Sequence, residues 1–344
     1  MRKAVRITGY TLVALVTAVA LAMLYLKCAL PNVDAAPSIT IEKAPALVKR
    51  GEYLANHVAV CVDCHSTRDW SRFSGPPVAG TFGKGGERFD HSLGFPGTFY
   101  AKNITPDKET GIGNWTDGEI YRAITSGVSR NGEPLFPLMP YRSYSHMSAE
   151  DAYAVVAYIR SLAPVQHKVP PSKPDFPMSL ILRTIPKNTT DAIREVVLAD
   201  SIALGKYLVT VAGCAECHTP QDKGTPIAGK YMAGGFEFPF PNGAVVRATN
   251  ITPDKETGIG NWTADAFIQR FKLYSKPEAM MVELTSDAFN TTMPWSMYAG
   301  MKEGDLRAIY KYLMSLKANK NKVVRFTPAP ATLATQSSTA MRAQ

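Results

Sequence analysis

The sequence predicts an all-α chain made of two tandem copies of one unit behind an N-terminal transmembrane helix. Three observations carry that prediction. The peptide Asn-Ile-Thr-Pro-Asp-Lys-Glu-Thr-Gly-Ile-Gly-Asn-Trp-Thr occurs twice without change, at 103–116 and 250–263. Apolar residues recur at helical three-four spacing near the end of each copy, and no alternating strand pattern stands out. The run from Ile7 to Leu26 holds no charge and has the length, about twenty residues, that a helix needs to cross a bilayer.

Other landmarks keep nearly one offset. Gly51 and Gly205, Met139 and Met293, and Leu162 and Leu316 are each 154 residues apart, and Cys61 and Cys214 are 153 apart. Solenoid repeats run at about 20 to 50 residues, so a period of this length means two domains. The expected organisation is an anchor at 1–32, a linker at 33–44, domain one at 45–165, a Pro-rich connector at 166–196, domain two at 197–320 and a disordered tail at 321–344. Each domain opens with a short helical stretch bearing Gly-x-Tyr-Leu, Leu47 to Val60 and Ile202 to Val211. Thr116 with Glu119 predicts a capping box opening a helix from Asp117 to Ser126; the second copy keeps Thr263 but has Ala266 at the matching place. The closing helices are Ala149 to Leu162, with Ala152, Val155, Val156, Ile159 and Leu162 on one face, and Glu303 to Leu316, with Leu306, Ile309, Leu313 and Leu316. Gly- and Pro-rich stretches at 75–97 and 224–243 are expected as loops. The prolines from Pro164 to Pro186 make the connector stiff and extended, the alternative being a strap packed over both domains.

The charge distribution assigns topology. Lys plus Arg number 38 against 29 Asp plus Glu, a net charge of +9 that could suit nucleic acid, an anionic membrane or an acidic partner. The two copies are nearly neutral, however, and the excess lies in the anchor, connector and tail, which points to a membrane and away from nucleic acid. Arg2, Lys3 and Arg6 precede the span and only Lys27 closes it, placing the N-terminus in the cytoplasm. Everything after Lys27 is then exported. Secretory signals have apolar cores of about 7 to 15 residues, so an uncleaved anchor is favoured, with cleavage near Val33 and Ala35 as the alternative.

Four of the five cysteines fall into Cys61-Val62-Asp63-Cys64-His65 and Cys214-Ala215-Glu216-Cys217-His218. C-x-x-C-H is the attachment pattern for heme c. Two thiols one helical turn apart add to the two vinyl groups of one heme, and His65 or His218 is then held beneath the iron as proximal ligand. A zinc ribbon would want its second cysteine pair about 15 to 20 residues away, and a thioredoxin-like pair would sit in a βαβ pattern that is absent here. Two covalently bound hemes c are therefore expected. Cys28, at the outer end of the span, is expected as a free thiol, since Lys27 is a poor match to a lipoprotein cleavage site.

The order of helix, C-x-x-C-H, Ile-Thr-Pro loop, central helix, Met-Pro and terminal helix resembles cytochrome c over both copies. The Asn-Ile-Thr-Pro-Asp stretch, Met139-Pro140-Tyr141 and the helix start Met147-Ser148-Ala149-Glu150-Asp151 more particularly resemble the cytochrome c subunits of bacterial membrane-bound alcohol, gluconate and related sugar dehydrogenases and their diheme relatives. Those subunits usually have three heme motifs; this chain has two. The resemblance, together with repeat equivalence, implies Met139 and Met293 as distal iron ligands, with Met297 and Met301 as competitors for the second site. His57, His91, His146 and His167 have no repeat counterparts and are expected at the surface or in hydrogen bonds, His57 being a fallback ligand. Trp115, Trp262, Tyr141 and Trp295 are expected as packing and propionate donors around the hemes.

His/Met irons are coordinatively saturated, leaving outer-sphere electron exchange as the chemistry. No catalytic residue is expected. The expected function is a membrane-anchored diheme cytochrome on the periplasmic side of a bacterial inner membrane. It would pass single electrons from a dehydrogenase or quinol-oxidising complex to a terminal oxidase or soluble cytochrome c. A diheme cytochrome c peroxidase, with one heme open to peroxide, is the enzymatic alternative; near-identical repeats with Met-Pro in both argue against it. A third reading makes the chain a non-catalytic subunit of a respiratory complex.

Overall fold

In a computed structural model, which describes residues 2–188, 200–222, 224–280, 282–285 and 288–330, the chain begins with one long helix, α1 (Arg2–Cys28). Its Val5–Cys28 portion has a mean hydropathy of 2.1 and is uncovered by the rest of the chain. By length and composition it can cross a membrane. An extended linker then runs over the first copy, where Pro37 lies against Gly118 so closely that an added Cβ would meet the Pro37 carbonyl oxygen at 1.8 Å. Asp117 Oδ2 accepts the Ile41 amide at 2.8 Å. The linker is thus packed down rather than free.

The first copy contains α2 (Pro45–Tyr53), continued as a wider π turn through Val58, then α3 (Cys61–Cys64), β1 (Arg88–Phe89), β2 (Gly97–Tyr100), α4 (Asp117–Ser126), α5 (Tyr141–Tyr144) and α6 (Ala149–Ile159). The connector supplies β3 (Lys173–Pro174) and α7 (Met178–Ile181). The second copy contains α8 (Ser201–Val211), α9 (Cys214–His218), β4 (Gln221–Asp222), β5 (Thr225–Pro226), β6 (Glu237–Pro239), β7 (Val245–Arg247), α10 (Ala264–Lys272), α11 (Pro277–Met280), α12 (Trp295–Tyr298), α13 (Glu303–Met314) and β8 (Phe326–Thr327). The helix starts follow their caps. Thr116 and Glu119 form the reciprocal capping box, Thr263 accepts from the Ala266 amide without the return bond, and Ser148 accepts from the Asp151 amide.

The expected all-α class is corrected by the structure: the chain is about 40% helix but also 8% strand, in several small sheets. β1, β2 and β3 pair antiparallel, as do β4 with β5, and β6, β7 and β8. β1, β5 and β6 lie within the stretches expected as loops, and strands of two to four residues are too short to show the alternation that marks a strand in sequence. The connector contributes β3, whose Pro174 sits at a sheet edge where a missing N–H is tolerated. Residues 326–327, in the stretch expected as a tail, pair with β7. The rest of the expected connector, 189–196, and of the tail, 331–344, lie outside the described residues.

In each copy the opening helix crosses the closing one at a glycine. A Cβ on Gly51 would lie 1.8 Å from the Ala154 carbonyl oxygen, and one on Gly205 would lie 2.0 Å from that of Ala308. The two crossings are repeat-equivalent, and around them the buried residues of both copies form one contiguous hydrophobic cluster.

The tyrosine of the same Gly-x-Tyr-Leu joins the copies reciprocally. Tyr53 donates to Asp305 at 2.5 Å and accepts the Lys302 amide at 3.1 Å, at the start of α13. Tyr207 donates to Asp151 at 2.6 Å and accepts the Ser148 amide at 3.3 Å, at the start of α6. Each copy therefore caps the closing helix of the other, which is the isologous pattern of a two-fold dimer written into one chain.

Candidate heme sites

Each C-x-x-C-H turn is entered through a left-handed residue, Val60 with φ of 47° and Gly213 with φ of 64°. That conformation turns the chain sharply from α2 or α8 into the cysteine turn. A buried tyrosine fixes the corner in each copy: Tyr144 donates to the Ala59 carbonyl at 2.6 Å, and Tyr298 to the Ala212 carbonyl at 2.9 Å.

The histidines are oriented identically. His65 Nδ1 lies 2.6 Å from the Lys102 carbonyl oxygen and His218 Nδ1 lies 2.8 Å from that of Thr249. Each acceptor precedes the repeated peptide, at Asn103 or Asn250, and a bond to it fixes the ring's tautomer and leaves Nε2 for a metal. Among the described residues Nε2 of neither ring has a hydrogen-bond partner. Burial lowers both imidazole pKa values, which favours the neutral, ligating form.

The repeated peptide steadies that acceptor through its own side chains. Asn103 is buried; its Oδ1 accepts the Thr105 amide at 2.9 Å and its Nδ2 donates to the Val165 carbonyl at 2.8 Å. Asn250 repeats this with Thr252 at 2.9 Å and Asn319 at 2.7 Å. Asp107 and Asp254 each accept a threonine amide at 2.7 Å, from Thr110 and Thr257. Backbone groups that would otherwise be buried without partners are satisfied locally, so the loop can hold a carbonyl steady against the histidine.

Cys61, Cys64, Cys214 and Cys217 are all free thiols, Cys217 exposed and the other three half-buried. Among the described residues no three His, Cys, Asp or Glu side chains converge as a metal-ligand cluster. Unbridged thiol pairs one turn apart, each beside an oriented imidazole, fit covalent heme attachment. The Tyr141 hydroxyl, buried directly after Met139-Pro140, also lacks a hydrogen-bond partner among the described residues, as a donor awaiting an acceptor would.

Met139 and Met293 are both half-buried against the core and share one local geometry. Pro140 and Pro294 cap the short helices α5 and α12, and the Tyr141 and Trp295 amides turn back to the methionine carbonyls at 2.7 and 2.8 Å. Of the competitors, Met301 is 1% exposed and is the repeat equivalent of the equally buried Met147, so both pack the core; Met297 is buried within α12. His57 Nδ1 meets the Met297 carbonyl at 2.8 Å across the two copies, and His91 pairs with Asp175 at 2.7 Å. His167 is hydrogen-bonded through its backbone to Thr110 and Asn103. Trp295 packs against Phe271 and Tyr274 with Arg270 over its ring, whereas Trp262 is partly exposed.

Sequence reasoning missed several residues. Tyr144 and Tyr298 were findable, since they share the 154-residue offset. Lys102 and Thr249 were not, because only their carbonyls act and their side chains differ. Asp63, between the two cysteines, is buried with Arg68 at 3.1 Å, and burial raises its carboxyl to about 6 against the pull of that guanidinium.

The thiol pairs, the pinned imidazoles and the paired helix crossings fit a c-type heme protein. Residues 202–317 match the Cytochrome c family, which covers the second copy, and heme c in that family is covalently bound. The chain therefore carries a cytochrome c domain in its second copy. It is 32% identical over 296 residues to the gluconate 2-dehydrogenase cytochrome c subunit of Pantoea cypripedii, covering 82% of this chain and 62% of that protein. It is 30% identical to the cytochrome c subunit of the quinone alcohol dehydrogenase of Gluconobacter oxydans, over 79% of this chain and 55% of that one. A diheme cytochrome c-type protein of Cereibacter sphaeroides is 34% identical over 203 residues, 57% of this chain and 64% of the relative. The chain thus spans less than two thirds of the length of the curated relatives it matches.

Proposed function

We propose that this chain is a membrane-anchored diheme cytochrome c that relays single electrons between a dehydrogenase or quinol-oxidising complex and a terminal oxidase or soluble cytochrome. The observation that carries the reading is the doubled site: one frame of left-handed corner, cysteine turn, carbonyl-pinned histidine and Met-Pro segment, built twice at nearly constant offset. Bound heme supplies reversible one-electron iron chemistry. Cys61 and Cys64 hold one group and Cys214 and Cys217 the other. His65 and His218 would present Nε2 to the iron because Lys102 and Thr249 occupy Nδ1, and Met139 and Met293 would supply the second ligands. Met sulfur opposite imidazole raises the reduction potential.

The division into two heme domains, at 45–165 and 197–320, is supported by the separate helix crossings at Gly51 and Gly205. α1 supports anchoring, with Arg2, Lys3 and Arg6 on the cytoplasmic side and the heme domains in the periplasm. The dehydrogenase subunits among the relatives support a redox complex as partner.

Heme counting and redox titration test the reading. Two hemes per chain are expected, each carrying the charge-transfer band of methionine-ligated ferric iron, and Met139→Leu or Met293→Leu should each abolish that band at one heme and lower its potential. A band of undiminished amplitude in either variant overturns the assignment of that methionine. Reduced protein mixed with carbon monoxide in a stopped-flow cell should remain unreacted; rapid uptake would mean an open iron and sink the carrier reading.

A further inference from the structure

The outer end of α1 is fastened by a residue more than 150 positions away. Arg183 lies in the turn Leu182–Thr184 that follows α7. Its Nη1 donates to the carbonyls of Lys27 at 3.4 Å and Leu30 at 3.1 Å, while Nη2 holds Glu133 at 2.6 Å. A guanidinium here meets carbonyls that a helix end leaves unpaired, at the negative end of the helix dipole. The connector is thereby tied to the point where the apolar run stops.

The connector's side chains around that tie are of an interfacial kind. Phe176 is 79% exposed and Ile181 is 44% exposed, while Leu182 beside them turns into the core at 5%. Lys173 and Lys187, both exposed, flank the apolar pair. Apolar side chains bracketed by lysines suit the boundary between headgroups and acyl chains.

We propose that residues 173–188 rest in the headgroup boundary of the bilayer that α1 spans, with Phe176 and Ile181 inserted and Lys173 and Lys187 on anionic lipid. This rests on the reading of α1 as a membrane span. Lipid is the occupant because of distance. The apolar run ends at Lys27, so Arg183, bonded to the Lys27 carbonyl, sits at the edge of the hydrocarbon. Ile181 is two residues from Arg183 and so within about 7 Å of it along the chain. The polar layer on each side of a bilayer is about 5 to 8 Å deep, comparable with that separation.

The contact also orients the first copy. β3 pairs with β2 at Gly97 and Thr98, the Asp175 amide donates to the Pro96 carbonyl at 3.1 Å, and Asp175 pairs with His91. The sheet beside the first heme site is therefore tied to the membrane surface, and the copies differ in which one faces lipid.

Nitroxide depth measurements on the full heme-loaded chain test this. With the four heme cysteines consumed in thioether bonds, a Cys28→Ser background allows single labels at Phe176→Cys, Ile181→Cys and Leu21→Cys. The chain is placed in nanodiscs of phosphatidylcholine and phosphatidylglycerol with the hemes reduced. Labels at 176 and 181 should lose accessibility to a nickel chelate while keeping it to oxygen. Water-like accessibility at either position, with the label at 21 inside the hydrocarbon, overturns the proposal and leaves anchoring intact. A water-like label at 21 overturns the anchoring reading, and the proposal with it.

Discussion

At the corner before each cysteine turn, two residues meet one backbone requirement with different chemistry. Val60 and Gly213 both hold positive φ, which a β-branched side chain reaches only at a cost of about 1 to 3 kcal/mol. Gly213→Val should therefore destabilise the protein by about that amount, read as a shift in the denaturant midpoint of the heme-loaded chain. Val60→Gly releases the same strain but gives up packing and adds freedom to the unfolded chain, so it should fall within about 1 kcal/mol of neutral. A large loss on Val60→Gly would show that the corner is unstrained. A backbone carbonyl leaves no trace in side-chain identity, so the bonds that orient His65 and His218 on Lys102 and Thr249 could not be read from a sequence.

Among the elements, the opening and closing helices of each copy are held by a single missing Cβ. Placing a methyl 1.8 Å from the Ala154 carbonyl oxygen forces one backbone to move, since no side chain can yield. Overpacking of this kind costs up to about 3 kcal/mol, while alanine recovers about 1 kcal/mol of helix propensity. Gly51→Ala should thus cost about 2 kcal/mol net, and Gly205→Ala the same, in thermal or chemical unfolding; an unchanged midpoint would contradict the crossing geometry. The helices themselves were legible because their periodicity and caps are local properties. Strands of two to four residues were not, because their stability comes from partners distant in sequence, such as Lys173–Pro174 against Gly97–Thr98.

Across the whole molecule, the two reciprocal tyrosine caps make the copies one body with a shared core. Their environments differ. Tyr207 is 3% exposed and its acceptor Asp151 is buried, whereas the Tyr53 bond to Asp305 is only partly buried. Hydrogen bonds to charged groups contribute about 1.5 to 3 kcal/mol, and water replaces a lost partner only where it can enter. Tyr207→Phe should accordingly cost about 2 kcal/mol and Tyr53→Phe about 1 kcal/mol, compared by urea unfolding of the two heme-loaded variants. Equal losses would mean that the interface is evenly hydrated. Further contacts bring the first methionine segment close to the second cysteine turn: Ser143 donates to Glu216 at 3.0 Å, and a Cβ on Gly213 would lie 3.9 Å from Pro140.

By itself the sequence determined the duplication, the cysteine turns with their adjacent histidines, the capped helices and the apolar N-terminal helix, because each is written in spacing within a short stretch. Tertiary structure alone decided how the copies face each other. The Gly-x-Tyr-Leu motif was visible, but that its glycine serves its own copy and its tyrosine the other depends on the partner's position. It decided also that the connector meets the end of the apolar N-terminal helix, through Arg183 and the carbonyl of Lys27. Contacts made by backbone atoms and across long loops carry no local signature, and they are what turn two repeated units into one body with a shared core.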